Sequence, residues 1–169
     1  MKNYNIVPLN TSHHKSEFKC GQSFLDNYLI KQAKQDVKRK LSVCFVLADS
    51  EDVVLGFYTL SSTSISQKFI PEEIRKRLPP NYRDLPATLL GRLAVDKKMA
   101  GRGFGELLLV DALKKSFETA SSSIGSLAVI VDPIDDNAVH FYQKYGFILL
   151  PDSGKMFLPM ATISLLFDA

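Results

Sequence analysis

Cysteine is nearly absent. Cys20 and Cys44 stand alone in 169 residues, and their separation matches no metal-ligand spacing. They read as free thiols of a reducing cytosol, and no metal site is expected. No apolar run reaches the ~18 residues that a spanning helix needs. Met1-Lys-Asn-Tyr4 lacks the apolar core of a secretory leader. A cytoplasmic protein with no membrane partner is the expectation. Repeats, low-complexity runs and linker-like stretches are missing as well, so one domain over residues 1–169 is expected. Charge of one sign is also scarce. Lys plus Arg number 21 against 18 Asp plus Glu, an excess too small to imply nucleic acid by itself. Of three histidines, His13 and His14 are adjacent, and with no third ligand nearby they read as solvated loop.

What is present centres on Leu89 to Leu113. An apolar run from Leu89 to Val95, interrupted by Gly91 and Arg92, reads as a strand in a covered sheet. Glu106 to Leu113 is a run of good helix formers. Between them lies Gly101-Arg-Gly-Phe-Gly105, with glycine at alternate positions. Glycine admits positive φ and removes side chains that would block a ligand. The following helix start presents unpaired N–H groups and a partial positive charge. Strand, glycine loop and helix start together form an anion cradle, most often for phosphate. The plain alternative is a tight strand-to-helix turn. The glycine spacing does not fit the dinucleotide fingerprint, and no Gly-Lys-Ser/Thr follows, which disfavours a nucleoside-triphosphate loop.

This stretch resembles the acetyl-CoA loop of the GNAT acetyltransferase superfamily, in which a strand ending in Leu-x-Val leads to Gln/Arg-x-x-Gly-x-Gly/Ala. Leu93-Ala94-Val95 supplies the strand end, and Gly103-Phe104-Gly105 the last glycines. Ala100 stands where the pattern has Gln or Arg; Lys98 or Arg102 would compensate near the pyrophosphate. The resemblance implies acetyl-CoA as cofactor. It implies contacts from Leu93, Ala94, Val95, Lys98, Gly101, Arg102, Gly103, Phe104, Gly105 and Glu106.

A second stretch, Asp135 to Phe147, resembles the other GNAT signature, Asn-x-x-Ala-x-x-Phe-Tyr-x-x-x-Gly-Phe. Asn137, Phe141, Tyr142, Gly146 and Phe147 fall in step, while the alanine, Ala138, sits beside Asn137. The amide of Asn137 offers both a donor and an acceptor for the pantetheine arm, or serves as a helix N-cap. Phe141 is either a cofactor contact or core. When an amine attacks a thioester the leaving group is a thiolate, which a phenol can protonate. The resemblance places Tyr142 in that role; a packed Tyr142 and a catalytic Tyr145 are the alternatives. A backbone N–H near Ala94 or Val95 is the candidate oxyanion donor. No general base stands out, and an α-amino group with pKa near ~8 needs none.

The remaining chain alternates strands and helices, the pattern of an α/β layer fold. Strands are expected at Asn5–Leu9, Leu41–Ala48, Val53–Leu60 with a weak extension over Ser61–Ser66, Leu127–Val131, Ile148–Leu150 and Ala161–Phe167. Asp49 to Asp52 reads as a hairpin turn. Ser23 with Asp26 resembles a capping box, opening a helix over Phe24–Lys40 with Leu25, Leu29, Ala33 and Val37 as its buried stripe. Pro71 to Arg77 reads as a short helix. Asn81 to Pro86 reads as loop, Thr119 to Gly125 as a polar turn, and Asn137 to Tyr145 as a helix closed by Gly146. The resemblance implies a mixed, strongly twisted sheet of about six to seven strands with about four helices, splayed into a V at the acetyl-CoA site.

Phe18-Lys-Cys-Gly21, Leu25-Asp-x-Tyr-Leu29, Ala33, Gln35-Asp36, Lys38-Arg-Lys40 and Gly91-Arg-Leu-Ala-Val-Asp96 resemble the toxin branch of these enzymes. That branch acetylates the α-amine of aminoacyl-tRNA, blocks translation and pairs with a ribbon-helix-helix antitoxin; dimers are common in it. A compatible surface is present. Lys31, Lys34 and Lys38 form one stripe, Arg75, Lys76, Arg77 and Arg83 a second cluster, and Arg92 lies beside the cofactor strand. A solvated cationic face is the plain reading of the stripe. Two other functions fit the motifs: a GNAT enzyme acting on a small amine or protein N-terminus, and a non-catalytic acyl-CoA-binding module.

Overall fold

A computed structural model describes residues 3–167. Among these residues seven strands form one mixed sheet. They are β1 (Asn5–Pro8), β2 (Val43–Ala48), β3 (Val54–Ser66), β4 (Asp84–Val95), β5 (Ala128–Val131), β6 (Ile148–Leu149) and β7 (Met156–Pro159), ordered β1-β2-β3-β4-β5-β7-β6. The helical segments are α1 (Ser23–Asn27), α2 (Ala33–Lys38), α3 (Glu72–Arg75), α4 (Phe104–Ser122), α5 (Asp136–Lys144) and α6 (Met160–Phe167). A π turn, Tyr28–Gln32, joins α1 to α2 in one rod. β1–β2, β2–β3, β5–β7 and β6–β7 pair antiparallel. β4 pairs with β5 in parallel through Thr88–Val129 and Leu89–Ile130, although β4 continues to Val95.

The chain gathers into two compact units. The first comprises residues 1–61 and 90–112, the second residues 62–89 and 113–169. The first has a core of Phe18, Leu25, Tyr28, Leu29, Val46, Phe57 and Ala94 with their neighbours. Its closest backbone approach is at Gly56. A Cβ there would lie 2.8 Å from Leu108 Cδ1 and 3.1 Å from the Ala94 carbonyl. The second unit buries Ile65, Leu85, Ala87, Ile130, Leu150 and Phe157.

The structure corrects several sequence expectations. Ala161–Phe167 is helix, not strand; the last strand is Met156–Pro159. Met156 to Leu158 are buried opposite β5, and Pro159, which has no N–H, ends the ladder. A short apolar run does not distinguish the two states by periodicity, and Ile163 is the buried anchor of α6. No capping box forms at Ser23, which lies inside α1. Gln22 is the N-cap, and Asp26 instead accepts from the Cys20 N–H at 2.9 Å. The strand extension is full: β3 runs unbroken to Ser66. β4 begins at Asp84, inside the expected loop. α4 continues to Ser122, where the expected turn residues Ser121 and Ser122 donate to the carbonyls of Phe117 and Glu118. His13 is buried rather than solvated, its Nδ1 accepting from the Asn10 N–H at 3.0 Å.

Candidate active site

The glycine loop is set by an acid that the motif reading passed over. Asp96 directly follows β4 and is buried. One carboxylate oxygen accepts from the Lys98 N–H, capping the 3-10 turn Lys97–Met99; the other accepts from the Lys19 N–H, both at 3.1 Å. The Asp96 N–H donates to the Leu55 carbonyl at 2.8 Å. Strand end, adjoining β3 and Lys19 loop are thereby tied at one residue. The usable signal was an acid ending an apolar strand, where its side chain caps the following turn.

Gly101 and Gly103 then take φ of +74° and +80°. A Cβ on either would meet nothing within 4 Å. The glycines therefore answer to backbone conformation and to open space, not to packing. Gly103 O accepts from Leu107 N–H at 3.1 Å, the first bond of α4. The helix start just beyond it, with Gly105 and exposed Glu106 in its first turn, carries N–H groups with no intrahelical acceptor. Lys98 and Arg102 line a cavity of about 470 Å³ together with Tyr4, Asp49 and Met99. The Arg102 guanidinium lies 5.5 Å from the Phe104 ring, which Tyr4 meets edge-on at 5.0 Å. An open positive-φ loop, a helix start and two cations fit a pyrophosphate.

Ala94 is buried, and Leu93 and Val95 are half-buried on β4. Arg92, on the same strand face as Ala94, lies flat on the Tyr28 ring with its guanidinium carbon 3.5 Å from the centroid. The Tyr28 hydroxyl donates to Asp36 at 2.9 Å. The π turn makes this contact possible. Eight residues of plain α-helix leave Asp36 about 80° out of line with Tyr28; one extra residue in a turn takes back about 100°. Sequence spacing alone hides the pair.

In the second unit Asp135, not Asn137, caps α5: its carboxylate accepts from the Ala138 N–H at 2.8 Å. Asn137 is exposed in the first turn, its amide uncommitted to capping. Tyr142 is buried at the far end of α5, with the rings of Phe141 and Phe147 each 5.2 Å away. Burial pushes its phenol above the ordinary range, so the proton is retained at neutral pH. Tyr145 is half-buried against Phe141. Gly146, φ +96°, turns the chain after the C-cap Tyr145.

Of the proposed substrate cations Arg92 is half-buried, and five are exposed: Lys31, Lys34 and Lys38 on the first rod, Arg75 and Arg77 on and just after α3. The three lysines share the first unit with Arg92; the two arginines belong to the second.

Residues 11–147 match the acetyltransferase (GNAT) family. The chain belongs to that family and is an acetyl-CoA-dependent N-acetyltransferase. Its relatives narrow the class. A "tRNA-acetylating toxin" of Mycobacterium tuberculosis is 38% identical over 136 residues, covering 80% of this chain and 79% of the relative. A "probable toxin TacT" of Sinorhizobium fredii is 33% identical over 168 residues, covering 94% and 92%. Among solved structures, AtaT complexed with acetyl-methionyl-tRNAfMet superposes with a TM-score of 0.89 at 26% identity, covering 99% of both chains. AtaTR bound with acetyl-CoA gives 0.85 at 27% identity, covering 97% and 98%.

Proposed function

We propose that this enzyme is the toxin of a toxin–antitoxin pair and acetylates the α-amine of aminoacyl-tRNA, blocking translation. The observation that carries the reading is the 33% identity to a probable toxin along nearly the whole chain. Lys31, Lys34 and Lys38, exposed along one helical rod, support it as phosphate contacts, with Arg75, Arg77 and Arg92 as further ones. A ribbon-helix-helix antitoxin, a homodimeric state and a cytoplasmic location complete the proposal. So does a single catalytic domain over residues 1–169, because β3, β4 and α4 each run through both units.

Bound acetyl-CoA supplies an acyl thioester whose carbonyl the substrate amine attacks, with a thiolate as leaving group. The loop from Gly101 to Gly105, with Lys98 and Arg102, holds the pyrophosphate. Asn137 contacts the pantetheine arm, flanked by Phe141. A backbone N–H at Ala94 or Val95 stabilises the developing oxyanion. Tyr142 keeps its proton through neutral pH and gives it to the thiolate. The amine needs no strong base, since an α-amino group of pKa near ~8 is partly unprotonated there.

The test is transfer of labelled acetyl groups from acetyl-CoA to a total charged-tRNA pool, beside polyamines and peptides. Label in the aminoacyl-tRNA fraction alone is expected. Label only in small amines or peptides would return the chain to ordinary small-substrate acetylation.

A further inference from the structure

A second basic cavity lies in the first unit, away from the glycine loop. It holds about 180 Å³ and is lined by Leu9, Asn10, Thr11, His13, Lys15, Lys34 and Val37, with no acidic residue on its wall. None of its residues lines the cavity beside the loop. Neither lysine has a carboxylate partner among the described residues. His13 Nδ1 accepts from the Asn10 N–H at 3.0 Å, which leaves the neutral ring's proton on Nε2. Every buried side-chain nitrogen and oxygen among the described residues has a partner. Nε2 has none, so it reaches the open space of the cavity as a donor.

Two ammonium groups without a carboxylate partner and an imidazole N–H line one small space, beside the neutral Asn10 amide and Thr11 hydroxyl. Burial lowers the Lys15 pKa; Cys44 opposes it, and the nearby Lys34 charge lowers it by a smaller amount. With two lysines and no carboxylate on its wall, the site holds positive charge that a bound anion would relieve. Lys34 belongs to both the cavity and the exposed lysine stripe. Lys31 and Lys38, three and four residues away, stand about one helical turn to either side, roughly 5–6 Å. A free phosphate would use the cavity alone; a phosphodiester chain would use the cavity and the stripe together.

We propose that the cavity between Lys15, Lys34 and His13 is a phosphate site, distinct from the cofactor loop, that takes one backbone phosphate of the RNA substrate. The RNA source rests on the tRNA reading above; the phosphate site does not. Lys15 thus joins the substrate contacts, although it lies outside the lysine stripe.

The experiment uses the full chain saturated with acetyl-CoA, so that the glycine loop is occupied. Two probes are titrated: inorganic phosphate, followed by the His13 imidazole resonances, and tRNA, followed by affinity at several salt concentrations. Phosphate should shift the His13 resonances in the unmodified protein and not in Lys15→Gln. For tRNA, Lys15→Gln should weaken binding about four- to six-fold at 0.15 M salt and flatten the log–log salt slope by about 0.7–0.9, the loss of one contact. Lys15→Arg should restore both, and acetyl-CoA affinity should stay unchanged in each variant. Unmoved His13 resonances overturn the phosphate site, whatever the tRNA result. A phosphate response with an unchanged tRNA slope in Lys15→Gln overturns the RNA assignment and leaves a free-phosphate site. A flat tRNA response in the unmodified protein sinks the tRNA reading instead, and the His13 titration still decides the cavity.

Discussion

The two units place function in different parts of the polypeptide. In the first, the proposed working groups are backbone N–H donors on an open loop, fixed by the buried Asp96 carboxylate and two positive-φ glycines. In the second, the proposed working group is a single phenol, Tyr142, fixed by aromatic packing. A backbone site tolerates many side-chain changes but fails when its fold-back fails. A side-chain site fails with the loss of one atom while its packing survives.

The largest test of that contrast is removal of the one atom. Tyr142→Phe keeps the ring and its contacts, so the melting temperature should stay within a degree or two. Turnover should fall about 10²–10⁴-fold, the usual cost of a lost general acid. Full activity in Tyr142→Phe, with loss in Tyr145→Phe, would exchange the two roles. Next comes the cationic stripe. Replacing Lys31, Lys34 and Lys38 together by glutamine should weaken tRNA binding on the order of 100-fold at 0.15 M salt. Acetyl-CoA affinity should be untouched, which calorimetry can check. Salt-independent binding in the parent enzyme would argue for a small-amine substrate.

The loop should show the opposite behaviour to Tyr142. Asp96→Ala leaves two backbone N–H groups without their acceptor, at a cost of about 1–3 kcal/mol each when buried. Denaturant unfolding should therefore move while kcat at saturating acetyl-CoA changes less than the cofactor affinity. A pH profile gives a smaller effect. The raised Tyr142 pKa keeps the acid form present through pH 10, the ordinary phenol value. Activity should rise through about pH 8 as the α-amine deprotonates and then hold. A falling alkaline limb below pH 9 in a folded enzyme would place another group in the acid role. Smallest of all, both thiols should react slowly near neutral pH. Burial pushes Cys20 up to about 11 and the deeper Cys44 up to about 12, so Cys44 should label last with a disulfide reagent.

Sequence patterns reveal what repeats at short range. The glycine loop, the α5 signature and most strand positions are legible because each is a local pattern with a local cause. The carboxylate of Asp96 is not, because Lys19 is 77 positions away along the chain. α6 is misread as strand because Ala161 to Phe167 offers apolar residues without a decisive period. Leu165 and Leu166 are exposed while Ile163 is buried, a division that only the folded chain reveals. Asn137 is misplaced as a cap for a finer reason: Asp135, two residues earlier, has the same capping chemistry. The cationic stripe is legible as a helical face. The cavity behind it is not, since Lys15 and His13 come from a loop with no helical phase.

The π turn at Tyr28–Gln32 gives the first rod a length that cannot drift freely. It is the trace of one residue more than a plain helix would need, and it sets the phase of everything after it. Deleting any single residue from the turn would produce a smoother helix, with better local hydrogen bonding and no change in composition of note. It would also leave Ala33, Lys34 and Asp36 in nearly the same phase relative to Leu25 and Tyr28, because seven residues of plain helix turn about as far as eight through the π turn. One residue can therefore be lost from the turn without moving Lys34 or Asp36, whereas a loss from the plain helix just after it would rotate Asp36 by about 100°. In an alignment of descendants, a gap within Leu29–Gln32 would mark a plain helix that keeps the Arg92 seat, and a gap between Ala33 and Gln35 would mark a protein whose Asp36 has turned away from Tyr28.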